Sequence, residues 1–171
     1  FNDLFAEYMK NVELIYETLE PLPLACETVA ELQNKGIQLA LVSSAPKKLI
    51  DLVVKRLKLP FEIIVSGDEV TQSKPDPQIY NLVKKKINKP LRLIVIEDSV
   101  NGVKAARAAH LETIWLNFEG KKDCLDCQQV QSLRDALKCV ETFISEACFI
   151  DTITDVEIQM KGSGLGIKDK Q

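Results

Sequence analysis

The strongest constraint on the fold is a short apolar run, residues 93–96, that ends in two adjacent carboxylates, Glu97 and Asp98. An alanine-rich segment with helical character, residues 100–109, follows almost directly. A continuous apolar run is typical of a buried parallel strand, and open α/β sheets bind ligands beyond the carboxyl ends of their strands. Two hard oxygen donors at such a strand end suit Mg²⁺, although Asp98 or Ser99 could instead cap the following helix.

Two segments upstream end in groups that handle phosphate. The apolar run 37–42 is followed by Ser43 and Ser44, and Lys74 lies within the proline-containing segment 73–77. The proline after Lys74 disfavours a helical conformation for that lysine, and the Asp-Pro pair beyond it predicts a helix start, so Lys74 is expected on a loop. A hydroxyl donor, an ammonium and metal-binding acids together suit phosphoryl transfer.

These three segments, with supporting matches at 66–70 and 105–109, resemble the second, third and fourth motifs of the haloacid dehalogenase-like hydrolases. They occur in family order and at ordinary family spacing, and the resemblance covers residues 4–118. It is closest to the branch that contains phosphoglycolate phosphatase and β-phosphoglucomutase. The resemblance implies an α/β fold with a three-layer, Rossmann-like parallel sheet.

The resemblance also implies a role for each motif residue. Ser43 and Lys74 are the expected catalytic residues, and Ser44 joins them in binding the substrate. Glu97 and Asp98 are expected to hold Mg²⁺. The implied function is that of a Mg²⁺-dependent phosphatase or phosphomutase that acts, through an aspartyl-phosphate, on a small phosphorylated metabolite resembling a sugar phosphate.

The family motif Asp-x-Asp, which supplies the nucleophile, is not found upstream of Ser43. The chain opens inside what resembles the last helix of the family's small cap, so the first strand and most of the helical cap are expected to be absent. We therefore expect a cap remnant at 1–20, the core at 21–147 and a tail of unknown role at 148–171. We expect this truncated chain to be inactive, and the alternative is a catalytically dead relative that serves as a binding or regulatory module.

An absent first strand would leave a slot about one strand wide, or roughly 5 Å, between the strands at 37–42 and 92–97. The β-branched tail segment Cys148–Met160 could occupy that slot, or the two strands could close up and pair directly. Otherwise the chain would be unstable, because apolar faces and backbone groups would remain unpaired. Of these outcomes, instability is the one we expect.

Hydrophobic periodicity and turn residues predict the remaining elements. The predicted helices are 5–19, 24–35, 47–57, 77–87, 100–109 and 131–147, and the predicted strands are 37–42, 61–65, 92–97 and 112–117. Gly36 is expected in the left-handed position after the second helix. His110, the only histidine, is expected at the end of the fifth helix rather than in catalysis.

Composition narrows the function classes. The 171 residues carry a net charge of −3, so the chain lacks the excess of positive charge that is typical of nucleic-acid-binding proteins. No apolar stretch reaches the ~18 residues of a membrane span. The partner that the family resemblance implies is a small phosphorylated metabolite, and composition argues against nucleic acid and a membrane. A phospho-accepting receiver domain is disfavoured because its acid pair comes first in the chain, and a dehydrogenase is disfavoured because Gly-x-Gly-x-x-Gly follows no predicted strand.

The five cysteines favour a reduced, cytoplasmic protein. Cys124 and Cys127 have the spacing of a metal or redox pair, but no second cysteine pair or histidine pair completes a tetrahedral site. A surface loop with free thiols is the preferred interpretation.

Overall fold

A computed structural model describes residues 2–18, 20–87, 92–121, 125–145 and 151–154. Its helices are α1 (Asn2–Thr18), α2 (Ala25–Asn34), α3 (Lys47–Leu57), α4 (Gln78–Lys86), α5 (Val100–Ala108) and α6 (Leu133–Ser145). Its strands are β1 (Leu39–Val42), β2 (Ile63–Val65), β3 (Leu93–Glu97), β4 (Glu112–Leu116), β5 (Gln128–Val130) and β6 (Asp151–Thr154). A single 3-10 turn spans Gly67–Glu69. Each predicted helix and strand is present, and β5 is an addition that its polar sequence did not indicate.

The strands form one parallel sheet in the order β2-β1-β6-β3-β4-β5. Helices connect successive strands from β1 to β4, as parallel pairing requires, because the chain must cross the sheet before it can run in the same direction. The parallel α/β fold expected from the sequence is confirmed. In the described part of the chain, no helix has the length and apolar character needed to cross a membrane.

Strand β6, from the tail, lies between β1 and β3. It pairs in parallel with both neighbours: Ala40 and Val95 each align with Ile153. Strand pairing on both sides satisfies backbone groups that an open slot would leave unpaired, and β-branched residues suit a pleated central strand. The structure thus shows the tail in the slot, which was not the outcome we expected. The other residues of the predicted segment, 148–150 and 155–160, lie outside the described residues.

Helices cover both faces of the sheet, and this gives three layers. Side chains alternate between the faces along each strand, so neighbours such as Val95 and Ile96 enter different cores. One core packs strand residues against α4 and α5: Ala40, Val42, Val65, Ile79, Tyr80, Val83, Val95, Ala105 and Ala106. The opposite core packs strand residues against α2 and α6: Val29, Leu32, Leu39, Ile94, Ile96, Ile114, Leu133, Ala136 and Val140. Fully burying one such aliphatic side chain contributes about 1.5–3 kcal/mol.

The helix ends largely follow the sequence signals. Gly36 has φ 76° after α2, the left-handed conformation expected of it. His110 lies at the end of α5 as expected, and with φ 57° it is also left-handed. Helix α4 begins one residue later than predicted, at Gln78, whose backbone N–H donates to Oδ1 of Asp76 over 2.8 Å. Pro77 is therefore the N-cap residue, where Asp76 was the expected one, and Asp76 accepts the first N–H of the helix from one position further out.

Candidate active site at the carboxyl edge of the sheet

The candidate site residues lie where two central strands end. Leu41 and Ile96 both align with Thr154 of β6. Ser43 and Asp98 are each two residues further along their strands, so the chain places them at the same level on either side of β6. Strands that flank one intervening strand are about 10 Å apart. A phosphate-sized ligand fits between groups at that separation.

Lys74 reaches this edge from the loop before α4. Its Nζ lies 2.5 Å from Oε1 of Glu97, and the two side chains are 8% and 1% exposed. Lys74 and Glu97, the first acid of the pair, therefore meet, as expected for groups that share a sheet edge. Buried ions cost several kcal/mol each to desolvate, so such a pair persists only when its hydrogen bonds are well made.

Glu97 is held by donors from three segments. Its Oε1 accepts from Lys74 and from the Tyr80 hydroxyl, 2.9 Å away. Its Oε2 accepts from both the backbone N–H and the hydroxyl of Ser99, each over 3.1 Å. A carboxylate oxygen offers two lone pairs, so both oxygens of Glu97 are fully used.

The first turn of α5 is shaped around the Glu97 carboxylate. The Ser99 hydroxyl accepts from the backbone N–H of Gly102 over 2.9 Å and so caps the helix. A Cβ atom on Gly102 would lie within 2.2 Å of all three carboxyl atoms of Glu97. Ser99, rather than Asp98, therefore acts as the N-cap, and Gly102 makes room for the buried acid.

Asp98 follows Glu97 at the strand end. Both of its carboxylate oxygens are shielded from solvent, and its backbone carbonyl accepts from Trp115 Nε1 over 3.1 Å. These are hard oxygen donors, and Mg²⁺ is often held by only one or two protein carboxylates with water and phosphate completing its shell. Asp98 fits that requirement. Glu97 fits it less well, because a metal bond would displace one of its four donors.

The loop after β1 is held from behind by the segment at 66–69. Ser43 is buried, and its Oγ accepts from the backbone N–H of Ala45 over 3.1 Å. The Gly67 N–H donates to the Ala45 carbonyl over 3.1 Å, and a Cβ atom on Gly67 would lie 2.3 Å from the carbonyl oxygen of Ser44. Asp68 accepts from the Lys47 N–H over 2.7 Å at the start of α3. The Ser43–Ala45 loop is thereby fixed.

Glu69 links the supporting segment at 66–69 to Lys86 on α4. Its Oε1 accepts from the Ser66 N–H over 3.0 Å, and its Oε2 lies 2.5 Å from Lys86 Nζ. The hydrogen bond from Lys86 is the main reason that the pKa of Glu69 lies below its ordinary value, with burial acting in the opposite direction. Residues 66–70 were a supporting match to the family motifs, but the sequence alone predicted no role for them.

The cysteines offer no metal or redox centre in the described segments. Burial raises the pKa of the free thiols of Cys26, Cys127 and Cys139, which keeps them protonated and weakly nucleophilic. Cys124 and Cys148 lie outside the described residues. Over the residues whose placement is described, no three His, Cys, Asp or Glu side chains come together as metal ligands.

Comparison with known proteins identifies the family. A model described as haloacid dehalogenase-like hydrolase matches residues 2–110, which include every candidate site residue named above. The chain belongs to the haloacid dehalogenase-like hydrolase family. The resemblance and the parallel α/β fold inferred from the three motifs are both confirmed.

Two relatives within this family are phosphatases by name. The phosphorylated carbohydrates phosphatase of Thermotoga maritima is 39% identical over 102 residues, which cover 58% of this chain and 47% of that protein. Hexitol phosphatase B of Escherichia coli is 33% identical over 106 residues, which cover 60% of this chain and 48% of that protein. The matched region therefore spans about half the length of each relative.

A solved structure is similar to this chain in fold. The crystal structure of CbbY from Rhodobacter sphaeroides in complex with phosphate has a TM-score of 0.57 and 26% identity. The superposition covers 65% of this chain and 53% of CbbY. It supports the architecture of the core that carries the candidate site residues.

Proposed function

We propose that this chain is the core portion of a Mg²⁺-dependent phosphatase or phosphomutase that acts on a small, sugar phosphate-like metabolite. The observation that carries the proposal is the buried Lys74 ammonium, fixed by Glu97 at the carboxyl edge of the sheet. A cation held there is placed to offset the negative charge of a phosphoryl group. The names of the relatives, which are phosphatases of carbohydrate and hexitol phosphates, support the substrate class.

Each site residue has a distinct part in this proposal. The Ser43 oxygen already accepts a backbone hydrogen bond, so its own proton is available for a phosphoryl oxygen, with Ser44 beside it. Lys74 stabilises the charge on the remaining phosphoryl oxygens. Asp98 would hold Mg²⁺, which neutralises the phosphate charge when it is bound. Glu97, whose two oxygens already accept four hydrogen bonds, is the weaker metal ligand of the pair.

The covalent step requires a nucleophile that the motifs upstream of Ser43 do not supply. We therefore propose that this polypeptide binds phosphate without turning over phosphate esters, since positioning groups alone leave the covalent step unavailable. A binding or regulatory module is the second candidate, favoured by the same observation. Whether the encoding DNA continues upstream, in frame, to an Asp-x-Asp motif separates the two.

The test combines orthophosphate titration by calorimetry with an aryl-phosphate assay in the presence of Mg²⁺. We expect binding but no turnover, and we expect S43A and K74M to weaken binding by about tenfold or more, as the loss of a charged hydrogen bond predicts. K85M, at an exposed position on α4, is the matched control. Absence of phosphate binding would contradict the proposal. Turnover that disappears in K74A would show that another residue supplies the nucleophile.

We further propose that residues 1–20 are the remnant of a cap and that 21–147 form the core. The α1 helix supports this division, because Glu13 pairs with Lys48 and the Glu17 carbonyl accepts from Arg56, so α1 lies on the outside of α3. Free thiols favour a cytoplasmic location. A small metabolite, rather than nucleic acid or a membrane, is the proposed partner.

A further inference from the structure

Trp115, the only tryptophan of the chain, lies on β4 beside the end of β3. The strand register aligns it with Glu97, the last residue of β3, and its side chain is fully buried. Its neighbours Ile114 and Leu116 pack in the core formed with α2 and α6. Because side chains alternate along a strand, Trp115 faces the layer of α4 and α5. Strand periodicity alone would assign this residue to the core.

The Trp115 indole also makes a polar contact at the candidate site. Its Nε1–H donates to the backbone carbonyl of Asp98 over 3.1 Å. Asp98 lies one residue beyond the β3–β4 ladder, whose last aligned pair is Glu97 and Trp115. An indole N–H can only donate, and a buried one usually has an acceptor, so burial and this hydrogen bond together fix the ring. Trp115 therefore extends the connection between β3 and β4 past the end of their strand pairing.

The carbonyl that accepts this hydrogen bond belongs to a peptide group that also holds Glu97. The group has the Asp98 carbonyl on one side and the Ser99 N–H on the other, and that N–H donates to Oε2 of Glu97 over 3.1 Å. A peptide group is planar, so fixing the direction of its carbonyl fixes the direction of its N–H. Hydrogen bonds in series also strengthen one another by polarisation. The contacts thus run from Trp115, through one peptide group, to the Glu97 carboxylate.

The same peptide group sets the direction of the turn into α5. Ser99 is the N-cap of that helix, and its hydroxyl donates to Glu97 and accepts from the Gly102 N–H. Rotation of the peptide group would change ψ of Asp98 and φ of Ser99, the two soft dihedrals on either side of it. Such a rotation would redirect the Asp98 side chain and the helix start together. One indole hydrogen bond therefore constrains the whole acidic turn.

We propose that Trp115 is a positioning residue of the candidate site. Through the planar Asp98–Ser99 peptide group it orients the turn that carries both acids, and it thereby sets the geometry that this strand end offers to Mg²⁺. The inference rests on the proposed function for the metal. The orientation of the peptide group is measurable in the chain without metal or substrate.

The first experiment follows two N–H groups by NMR hydrogen exchange without added metal, the single indole of Trp115 and the backbone amide of Ser99. We expect both to be protected in the unmodified chain. Replacing Trp115 with β-(3-benzothienyl)alanine keeps the shape of the ring but puts sulfur in place of the N–H. We expect this change to make the Ser99 amide exchange about tenfold faster or more.

D98N is the matched control for this measurement. It should leave the indole protected, because the acceptor is the backbone carbonyl of Asp98 and not its carboxylate. Unchanged exchange of the Ser99 amide in the benzothienylalanine protein would overturn the proposal. Loss of indole protection in D98N would also overturn it, because the acceptor would then be the side chain.

The second experiment measures Mg²⁺ affinity by calorimetry in W115F, in the benzothienylalanine protein and in L116A. Leu116 is buried on the same strand but in the opposite core, so L116A controls for the loss of core packing. We expect both replacements of Trp115 to weaken Mg²⁺ binding by about three- to tenfold, the effect of losing one hydrogen bond. L116A should lower the thermal unfolding temperature and change Mg²⁺ affinity by less than about twofold. Unchanged affinity when Trp115 is replaced, or an equal loss in L116A, would show a purely structural tryptophan and would overturn the proposal.

The outcomes distinguish this inference from the proposed function. If the unmodified chain binds neither Mg²⁺ nor orthophosphate while the Ser99 amide responds as expected, the proposed function fails and the hold of Trp115 on the turn stands. If the chain binds both ligands and replacing Trp115 alters neither the Ser99 amide nor Mg²⁺ affinity, the proposed function stands and this inference fails. Where W115F does not fold, the benzothienylalanine protein, which keeps the volume of the ring, decides both measurements.

Discussion

A Cβ atom built on Gly102 would lie 1.7 Å from Oε1 of Glu97, so the absence of a side chain at residue 102 is what gives the buried carboxylate its place. The same glycine donates its N–H to the Ser99 hydroxyl, which in turn donates to Glu97. The start of α5 and the end of β3 are therefore one structural unit. A change at Gly102 acts on the site through Glu97.

We expect Gly102→Ala to destabilise the chain by about 2–4 kcal/mol, because the displaced carboxylate loses hydrogen bonds from charged and polar donors. Helix propensity acts in the opposite direction, since alanine is favoured over glycine inside a helix by about 1 kcal/mol. Urea denaturation measures the net effect. A108G, at an exposed position of the same helix, calibrates the propensity term. A variant G102A that is more stable than the original chain would contradict the close approach.

The central position of β6 in the sheet leads to a second prediction. Ile153→Pro should abolish cooperative thermal unfolding, because a proline in a central strand removes a backbone donor and clashes with the pairing on either side. Ile153→Ala keeps the backbone donor and should retain a cooperative transition at lower temperature. Deletion of 148–171 should behave like I153P. A sharp transition that survives the deletion would show that the core does not need β6.

The close approach of Gly67 to the backbone of Ser44 leads to a third prediction. An alanine there would place its Cβ 2.3 Å from a backbone oxygen, which cannot rotate away as a side chain can. We expect G67A to cost about 1–3 kcal/mol, as overpacking typically does, and to weaken orthophosphate binding by displacing the Ser43–Ala45 loop. D68A removes only the hydrogen bond to Lys47 and should cost about 1 kcal/mol. If G67A binds phosphate as tightly as the original chain, the loop is not held through this contact.

The Glu69–Lys86 pair predicts a pH dependence. Because Lys86 holds the pKa of Glu69 below its ordinary value, the unfolded chain binds a proton more readily than the folded chain at acidic pH. The stabilisation is therefore fully present above the unfolded pKa of about 4.3 and is lost as the pH falls through the lower folded pKa. Both side chains are about one-third exposed, so solvent screening limits the effect to about 0.2–1 kcal/mol.

Lys86→Met tests this pH dependence, with K85M as the control for losing a lysine from the same turn. NMR titration of Glu69 should show its pKa rising towards the ordinary value in K86M only. The stability difference between K86M and the original chain should shrink below pH 4. An unchanged Glu69 pKa in K86M would show that the Ser66 hydrogen bond and the Lys47 charge, rather than Lys86, lower it.

Local sequence signals were sufficient to predict the elements whose formation depends on residues close together in the chain. The apolar run before Glu97, the proline after Lys74 and the glycine at residue 36 each act within a few residues, and each is found in the expected element. The three motifs resemble those of the family in residues and in order, which was enough to suggest the family. Parallel α/β topology explains why the ends of the central strands that carry them share one edge. The polar strand β5 was missed because its pairing with β4, rather than its own hydrophobicity, makes it a strand.

The sequence by itself determined the parallel α/β core, the family and the positions of Ser43, Lys74, Glu97 and Asp98 on its strand ends and loops. Tertiary structure decided what these residues contact. Tyr80 is 17 residues from Glu97 in the chain, and β6 joins strands that lie more than 50 residues before it, so neither contact has a local signature. Hydrogen-bond saturation of a buried carboxylate and the pairing of a central strand depend on packing between distant segments, which no short stretch of sequence encodes.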